Sequence, residues 1–357
     1  MTSKKLYVDF HVLQTVPPSC VNRDDTGRPK TAIYGGAVRA RVSSQAWKHA
    51  IREMFRNEIF DETQLGFRTK YITDLIAKKL VASGENPEKA LKKASEAIAN
   101  AGVKVTEKKG VYTTGALFFI SSKQVDKLAE LIINGEKNKD AYKSALNELP
   151  SIDIALFGRM VADDVKLNVD AACQVSHAIS THAVQNEYDY FTAVDDCSPA
   201  DNAGAGHLGT LEFNSSTLYR YATINVNELY KSIGEDTPDA VCGFADAFIR
   251  SIPTGKQNSY ANGTLPDLIY ITIRTDQPVN LCGAFEKPVR GHEGFVSESK
   301  KALAEYARTI YSDYCNKPEH AFIIGNVSDS ETIGAERKNF KEMLETLKKI
   351  IADEVSA

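Results

Sequence analysis

Hydrophobic and polar residues alternate over several short stretches of this chain, and such alternation predicts β-strands. One stretch, 5–13, places four apolar side chains on one face, and another, 38–42, alternates small apolar residues with Arg39 and Arg41. Because successive residues of a strand face opposite ways, both arginines are expected to point outward. Further strands are predicted over 152–161, 267–274 and 320–325.

Apolar residues at helical spacing predict a second set of elements. A helix is predicted over 45–57, with Ser43 or Ser44 as its cap. Lys48 and Arg52 lie four residues apart and share the face opposite the apolar stripe. Other helices are predicted over 71–82, 87–100, 124–134, 171–181, 240–251 and 337–355.

The order of these elements predicts an α+β fold. Strands and helices alternate at both ends of the chain, while helical patterns dominate between about 61 and 148. Two strand-like runs within 188–226 flank the segment DDCSPADNAGAGHLG, which is rich in Gly, Ala, Asp and Asn. This pattern predicts a protruding β-hairpin with a long tip.

Amino-acid composition and charge narrow the classes of function that this chain could have. The 357 residues carry a net charge of −4, which argues against indiscriminate DNA binding through a wholly basic surface. A local basic stripe is enough for nucleic-acid binding, so its position matters more than the total charge. Six scattered cysteines without a Cys-x-x-Cys pair indicate reduced thiols and a cytoplasmic protein. We expect no signal peptide, membrane partner, metal or cofactor.

Positive charge concentrates after the first loop, which is predicted over 15–36 from its Pro, Gly and Asp residues. The window 37–56 contains five basic residues and one acid, for a net charge of +4. Guanidinium groups and helix N-termini both suit phosphate. The solvated face of an amphipathic helix explains the same charge pattern about as well. The two serines at the helix start slightly favour the anion-binding interpretation. The residues concerned are Arg39, Arg41, Lys48, Arg52 and Arg56, with Arg23, Arg28 and Lys30 in the loop and Ser43, Ser44 and Gln45 at the helix start.

Two other motifs bear on chemistry. The polar loop 251–261 contains Gly255 and Lys256 but lacks the full phosphate-loop pattern, so a nucleotide triphosphatase is excluded and Lys256 remains a candidate phosphate donor. Asp24 and Asp25 could hold a divalent metal, although aspartate is also a common turn residue. No hydrolase, zinc-protease or dinucleotide fingerprint is present, and we expect no enzymatic activity.

A set of short sequence segments, in a fixed order along the chain, gives the most specific indication of family and function. These strings are PPSCVNRDDTGRPKTAIYGG, RARVSSQAWKHAIR, DIALFGRM, SHAISTH, DYFTAVDD, HLGTLEFNSSTLYRYATIN, GKQNSYA and AFEKPV. Together they resemble the CasC-type backbone subunits of the Type I-E CRISPR Cascade complex. Segment 61–148 and the C-terminal part match least.

The resemblance implies a hand-like protein that binds the spacer of crRNA without reading its sequence. Its palm would be a ferredoxin-like, RRM-like sheet, and copies would stack head to tail. The implied partners are crRNA, target DNA by way of the guide, further copies of the chain and other Cascade subunits. The implied segments are palm 1–60, 173–184 and 216–357, helical fingers 61–172, and hairpin thumb 185–215.

The resemblance also assigns roles to individual residues. Met160 would be a wedge beside a kinked base, and Phe191, Thr192 and Leu208 would surround that kink. The implied guide-backbone contacts are Arg23, Lys30, Ser43, Gln45, Lys48 and Arg52, with Arg28 as the alternative to Lys30. The rival function is a metal-dependent endoribonuclease, because related Type III backbone subunits cut RNA with an aspartate of the comparable loop.

Overall fold

A computed structural model describes residues 5–161, 164–193, 197, 207–325 and 333–356, without the side chains of His207 and Leu208. The chain forms two compact units. Unit 1 comprises Met1–Ile51, Val175–Thr223 and Phe248–Leu344, and unit 2 comprises Arg52–Gln174, Ile224–Ala247 and Glu345–Ala357. The predicted α+β class is confirmed.

The strands of both units are β1 (Tyr7–Ser19), β2 (Thr31–Tyr34), β3 (Ala37–Val42), β4 (Gly66–Thr69), β5 (Val105–Lys108), β6 (Val111–Thr114), β7 (Phe118–Ser121), β8 (Cys173–Val175), β9 (Ala178–Ser180), β10 (Glu187–Ala193), β11 (His207–Asn225), β12 (Leu268–Arg274), β13 (His320–Ile324) and β14 (Glu336–Arg337).

Unit 1 is built on a mixed sheet whose main path runs β14-β13-β12-β1-β11-β9-β3-β2, with β8 and β10 also paired to β11. Strand β1 pairs antiparallel with β12, and β10 pairs antiparallel with β11 to form the predicted hairpin.

Helices follow the apolar periodicity in most places. The predicted helix over 87–100 forms with Pro87 in its first turn and Asn86 as its cap. The helices are α1 (Ser44–Met54), α2 (Ile72–Ala82), α3 (Pro87–Asn100), α4 (Ser122–Ile133), α5 (Lys139–Asn147), α6 (Ile152–Phe157), α7 (Val226–Ile233), α8 (Thr237–Arg250), α9 (Gln257–Tyr260), α10 (Val296–Asp313) and α11 (Phe340–Ser356). Across the described residues, none of them is both long and apolar enough to cross a lipid bilayer.

The start of α1 is anchored in the core of unit 1. Trp47 is buried, and the guanidinium of Arg220 lies 3.7 Å from the centre of its ring. Arg220 also donates to Gln14 Oε1 at 2.5 Å and to the Phe248 carbonyl. Burial lowers the pKa of Arg220 to about 9, so the group remains cationic at neutral pH. This buried cation over an aromatic face fixes the orientation of the helix.

Unit 2 has its own helical core. Helices α2 and α3 pack their apolar faces together, with α4 and α5 against them. Two small antiparallel sheets, β4–β7 and β5–β6, accompany the helices. The helix-rich segment predicted from about 61 to 148 lies within this unit, which also contains residues 224–247 and 345–357.

Two local predictions differ from the structure, and one long helix was not predicted. Residues 152–157 form α6, not a strand, and Gly158 ends that helix at φ 77°. Residues 171–181 contain the short strands β8 and β9, not a helix. The 18-residue helix α10 was not predicted at all. Short segments with continuous apolar runs fit either secondary structure, and pairing with β11 decides the second case.

Candidate nucleic-acid interface

Asn22 connects the first loop to the start of α1. Its Oδ1 accepts a hydrogen bond from the Ser43 amide at 2.9 Å, and its carbonyl accepts one from the Lys30 amide at 2.9 Å. The Lys30 carbonyl in turn accepts from the Arg41 amide at 2.9 Å. Loop, strand β3 and helix start are therefore held as one arrangement in unit 1.

A small cleft lined by both polar and apolar side chains lies at this junction. Lys30 and Arg41 line it, together with Asn22, Asn214 and Ser216. Both cationic residues are partly exposed, and Arg41 Nε also donates to the Thr31 carbonyl at 3.3 Å. Two cations with amide and hydroxyl groups beside them are suited to a phosphate and its sugar.

The helix start presents a second set of donors. Ser43 is buried, and its Oγ accepts from the Ala46 amide at 3.4 Å, so it serves as the cap. The Ser44 amide donates to Nδ1 of His177 at 2.9 Å. Gln45 is exposed and Lys48 is partly exposed on the next turn. Thus the buried Ser43 stabilises the start of α1, while Ser44, Gln45 and Lys48 lie at the surface of the site.

Arg23 and Lys256 both approach the buried thiol of Cys20. Burial raises the pKa of Cys20, and the charges of Arg23 and Lys256 oppose that rise. The loop of Lys256 packs closely, because a Cβ on Gly255 would lie 2.1 Å from the Val21 carbonyl oxygen. The structure therefore brings Lys256, predicted from a separate motif, to the same loop as Arg23.

Arg28 has a different role. Its Nε lies 2.7 Å from Glu212 Oε1 on β11, and Asn186 donates to the other carboxylate oxygen at 3.2 Å. Arg28 is thus tied to the base of the hairpin, whereas Lys30 lines the cleft. Of the two alternatives, this arrangement favours Lys30 as the cation for a phosphate.

The outward orientation predicted for Arg39 is wrong. Its side chain is fully buried and donates to the carbonyls of Ser180 at 2.8 Å and Phe285 at 2.9 Å. The alternating sequence pattern correctly placed Arg39 and Arg41 on one face of β3. At Arg39, however, that face is covered by the segments that contain Ser180 and Phe285. Arg39 satisfies buried backbone acceptors and is unavailable to a ligand.

Arg52 is also not the open cation that the helix pattern predicted. Its Nε lies 3.1 Å from Asp153 Oδ2, with the two side chains only 17% and 2% exposed. Its guanidinium also lies 4.5 Å from the centre of the Phe119 ring. Asp153 accepts further hydrogen bonds from the Gly66 amide and the Ser151 hydroxyl. This ion pair belongs to the interior of unit 2.

Met160 follows a tightly packed, hydrogen-bonded turn in unit 2. The preceding Arg159 is buried and donates to the carbonyls of Leu167 at 2.9 Å and Leu146 at 2.7 Å. Gly158 permits the close approach of the chain, since a Cβ there would lie 2.9 Å from the Val169 carbonyl oxygen. Met160 itself is 86% exposed. An apolar side chain so presented suits the predicted wedge.

The hairpin places its predicted residues on two faces. Phe191 pairs with Gly209, and Thr192 pairs with Leu208, in the antiparallel register of β10 and β11. Phe191 is partly buried and Thr192 is exposed. The side chain of Leu208, and the tip 194–206 apart from Cys197, lie outside the described residues.

Asp24 is engaged in its own turn. Its Oδ1 accepts from the Thr26 amide at 2.9 Å, the Thr26 hydroxyl at 2.7 Å and the Arg28 amide at 2.9 Å. The hydrogen bond from the Thr26 side chain is the largest cause that lowers the pKa of Asp24. Among the described residues, no cluster of three or more His, Cys, Asp or Glu forms a candidate metal site.

The family model for CT1975-like proteins matches residues 8–352, nearly the whole chain. The chain belongs to the CT1975-like protein family. No curated protein sequence gives a significant match to this CT1975-like chain.

Solved structures similar to this CT1975-like chain are described as CRISPR complexes. One chain, described as "CRISPR RNA-guided surveillance complex, pre-nicking", has a TM-score of 0.85 at 30% identity and covers 97% of this chain and 100% of its own length. Another, described as "CRISPR RNA-guided surveillance complex", has a TM-score of 0.64 at 27% identity, with coverage of 96% and 99%. The predicted relationship to CRISPR surveillance complexes is confirmed at this level.

Two residues of the CT1975-like site were missed by sequence reasoning. Asn22 precedes Arg23 in the first loop, and His177 lies between two predicted site segments, but the sequence patterns single out neither residue. Ser44 and His177 are 133 residues apart in sequence, so no local spacing connects them. The one available signal was that His177 lies in the string SHAISTH, which carries the family resemblance.

Proposed function

We propose that this chain binds the sugar-phosphate backbone of crRNA as a multi-copy backbone subunit of a Type I-E Cascade complex. In this function it presents the guide bases for pairing with target DNA. Its membership of the CT1975-like family and its similarity to chains of RNA-guided surveillance complexes support the proposal. The observation that carries it is the convergence of Lys30, Arg41 and the start of α1 in unit 1.

The donors at this junction suit a binder that ignores sequence. Ammonium, guanidinium, amide and hydroxyl groups match phosphate oxygens and ribose hydroxyls, and such contacts position a strand without reading its bases. A guide-directed complex needs this property, because base pairing alone reads the target.

The hairpin requires a different kind of contact. Residues 185–215 contain six acids and no lysine or arginine. Such a segment does not attract phosphate, so its contact with RNA must be apolar or through bases. Within the hairpin, the aromatic side chain of the partly buried Phe191 is the predicted apolar contact, and stacking on a base contributes about 1–3 kcal/mol.

Several finer features belong to the same proposal. They are the RRM-like palm, the fingers and thumb, the head-to-tail stacking of copies, the partnership with other Cascade subunits, and a cytoplasmic location. We also propose that the chain has no catalytic role. The three hydrogen bonds within the turn at Asp24 Oδ1 favour a structural role for that carboxylate over metal binding.

The proposal is tested by the salt dependence of RNA binding. Purified Arg41→Ala and Lys48→Ala variants are titrated with two single-stranded RNAs of unrelated sequence between 50 and 200 mM salt, a range over which phosphate contacts change affinity strongly. Each lost phosphate contact should lower the slope of log K against log salt by about 0.7, equally for both RNAs. Lys301→Ala, at an exposed lysine of α10, is the matched control and should retain the parental slope. Unchanged slopes for both test variants would place the RNA elsewhere.

A further inference from the structure

His177 lies in the turn between β8 and β9 and is exposed. Its Nδ1 is 2.9 Å from the Ser44 amide nitrogen at the start of α1. Since a backbone N–H can only donate, Nδ1 must be the unprotonated acceptor. The ring proton of the neutral imidazole is therefore on Nε2.

The surroundings keep this imidazole neutral. Although the residue is exposed, loss of some ring hydration lowers the pKa of His177, and the positive charges of Arg41 and Lys30 lower it further. The same two residues line the small cleft beside the start of α1. A neutral ring can retain the hydrogen bond from Ser44, whereas a protonated ring would lose its acceptor at Nδ1.

The second ring nitrogen is left without a protein acceptor. Over the described ranges of the chain, the bond to Ser44 is the one hydrogen bond that His177 makes. An exposed N–H donor of fixed tautomer, beside two cations, fits an acceptor that carries negative charge. Along an RNA backbone, that acceptor is a phosphate oxygen.

We propose that His177 donates its Nε2–H to a phosphate oxygen of bound RNA, in concert with Lys30 and Arg41, while its Nδ1 holds the start of α1. This inference rests on the proposed function and adds a binding residue to its site. A purely structural histidine would need Nδ1 alone. The two ring nitrogens therefore have separable roles.

Two substitutions separate these roles. In His177→Asn, Oδ1 takes the place of Nδ1 and still accepts from Ser44, but the donor at Nε2 is lost. In His177→Gln, the amide nitrogen takes the place of Nε2, but the acceptor for Ser44 is lost. We expect His177→Asn to bind single-stranded RNA about 10-fold more weakly, a loss typical of one hydrogen bond to a charged group, with an unchanged midpoint of urea unfolding. We expect His177→Gln to keep its RNA affinity within about 3-fold and to unfold at lower urea.

The opposite pattern, with affinity lost in His177→Gln and kept in His177→Asn, would overturn the inference, because only the structural bond would then matter. The same titrations include Arg41→Ala and Lys48→Ala. If these two weaken binding and His177→Asn does not, the His177 inference fails while the proposed function stands. If none of the three weakens binding, the proposed function itself fails.

A separate titration tests whether the acceptor is a phosphate oxygen. A 2′-deoxy strand of the same base sequence keeps the phosphates and lacks the 2′-hydroxyls. The defect of His177→Asn relative to the parent should persist at about 10-fold on this strand. A defect that disappears on the deoxy strand would assign the acceptor to ribose and overturn the phosphate assignment.

Discussion

The ring of Phe191 lies over the backbone of Gly209, its cross-strand neighbour in the hairpin. A Cβ placed on Gly209 would be 2.4 Å from Phe191 Cζ, so the ring occupies the space that any other residue would need. Tyr188 and Tyr190 alternate with Phe191 along β10, face the other way, and are 69% and 65% exposed. Phe191, which the resemblance places beside the kinked base, thus occupies a packed position within its own hairpin.

The first prediction concerns this pair. In Gly209→Ala the new methyl group must displace the Phe191 ring, and overpacking of this kind costs about 1–3 kcal/mol. We expect faster hydrogen exchange for the amides of the β10–β11 ladder, by about 5-fold or more, since about 1.4 kcal/mol corresponds to a factor of 10.

The double variant Phe191→Ala with Gly209→Ala is the control, because it removes the ring that clashes. The two substitutions should be non-additive, as residues in direct contact usually are. Additive exchange rates, or an unaltered rate in Gly209→Ala alone, would show that the ring moves aside without cost.

The second prediction concerns Arg52 and Asp153. Arg52→Ala leaves the nearly buried carboxylate of Asp153 without its cation. Removing one partner of a buried pair costs about 3–5 kcal/mol, and the exposed fraction of Arg52 favours the lower end. We expect a correspondingly lower urea midpoint at pH 7, together with an unchanged salt slope for RNA binding.

Arg52→Ala combined with Asp153→Asn serves as the comparison. It removes both charges and should recover part of the lost stability, since no unpaired charge then remains. A stable Arg52→Ala variant whose salt slope drops by about 0.7 would instead return Arg52 to the RNA-binding surface.

The third prediction concerns pH. Burial, reinforced by the charge of Arg274, lowers the pKa of His11 to about 3 from its ordinary value of 6.5. Below about pH 6.5 the unfolded chain binds this proton and the folded chain does not, so His11 lowers stability as pH falls through that window. Burial raises the pKa of Asp9 to about 6 from 3.8, so Asp9 lowers stability as pH rises from 3.8 to 6.

These opposing effects can be separated by substitution. His11→Phe removes the acid-destabilising group, so its change in unfolding free energy from pH 7 to pH 5 should be more favourable than the parent's by about 2 kcal/mol. Asp9→Asn should shift that change in the other direction by about 1 kcal/mol. Urea unfolding at the two pH values measures both. Parallel behaviour of His11→Phe and the parent would mean that His11 does not titrate over this interval.

The fourth prediction concerns nuclease activity. Incubation of the protein with a guide–target RNA duplex and Mg²⁺ should give no metal-dependent cuts, because Asp24 is committed to its turn. The doubly substituted Asp24→Ala, Asp25→Ala variant should give the same products as the parent. Evenly spaced cuts that need Mg²⁺ and vanish in this variant would establish the endoribonuclease instead.

The local sequence was sufficient to predict elements whose conformation is determined by residues within the same segment. The helix over 87–100 has its Asn86 cap, Pro87 and apolar face within one short stretch, and it forms as predicted. The strand predicted over 267–274 is β12, apart from its first residue, and the hairpin follows from two strand-like runs around a Gly-rich tip. The basic window at 37–56 likewise identified where Arg41 and the start of α1 meet.

Tertiary structure decided which of those side chains a ligand can reach. Alternation puts Arg39 and Arg41 on one face, but distant segments cover Arg39 and leave Arg41 open. Helical spacing places Lys48 and Arg52 on one face, yet Arg52 forms an ion pair with Asp153. His177 reaches Ser44 across 133 residues of sequence. Periodicity fixes the direction in which a side chain leaves the backbone, whereas contacts between remote segments determine what it meets there.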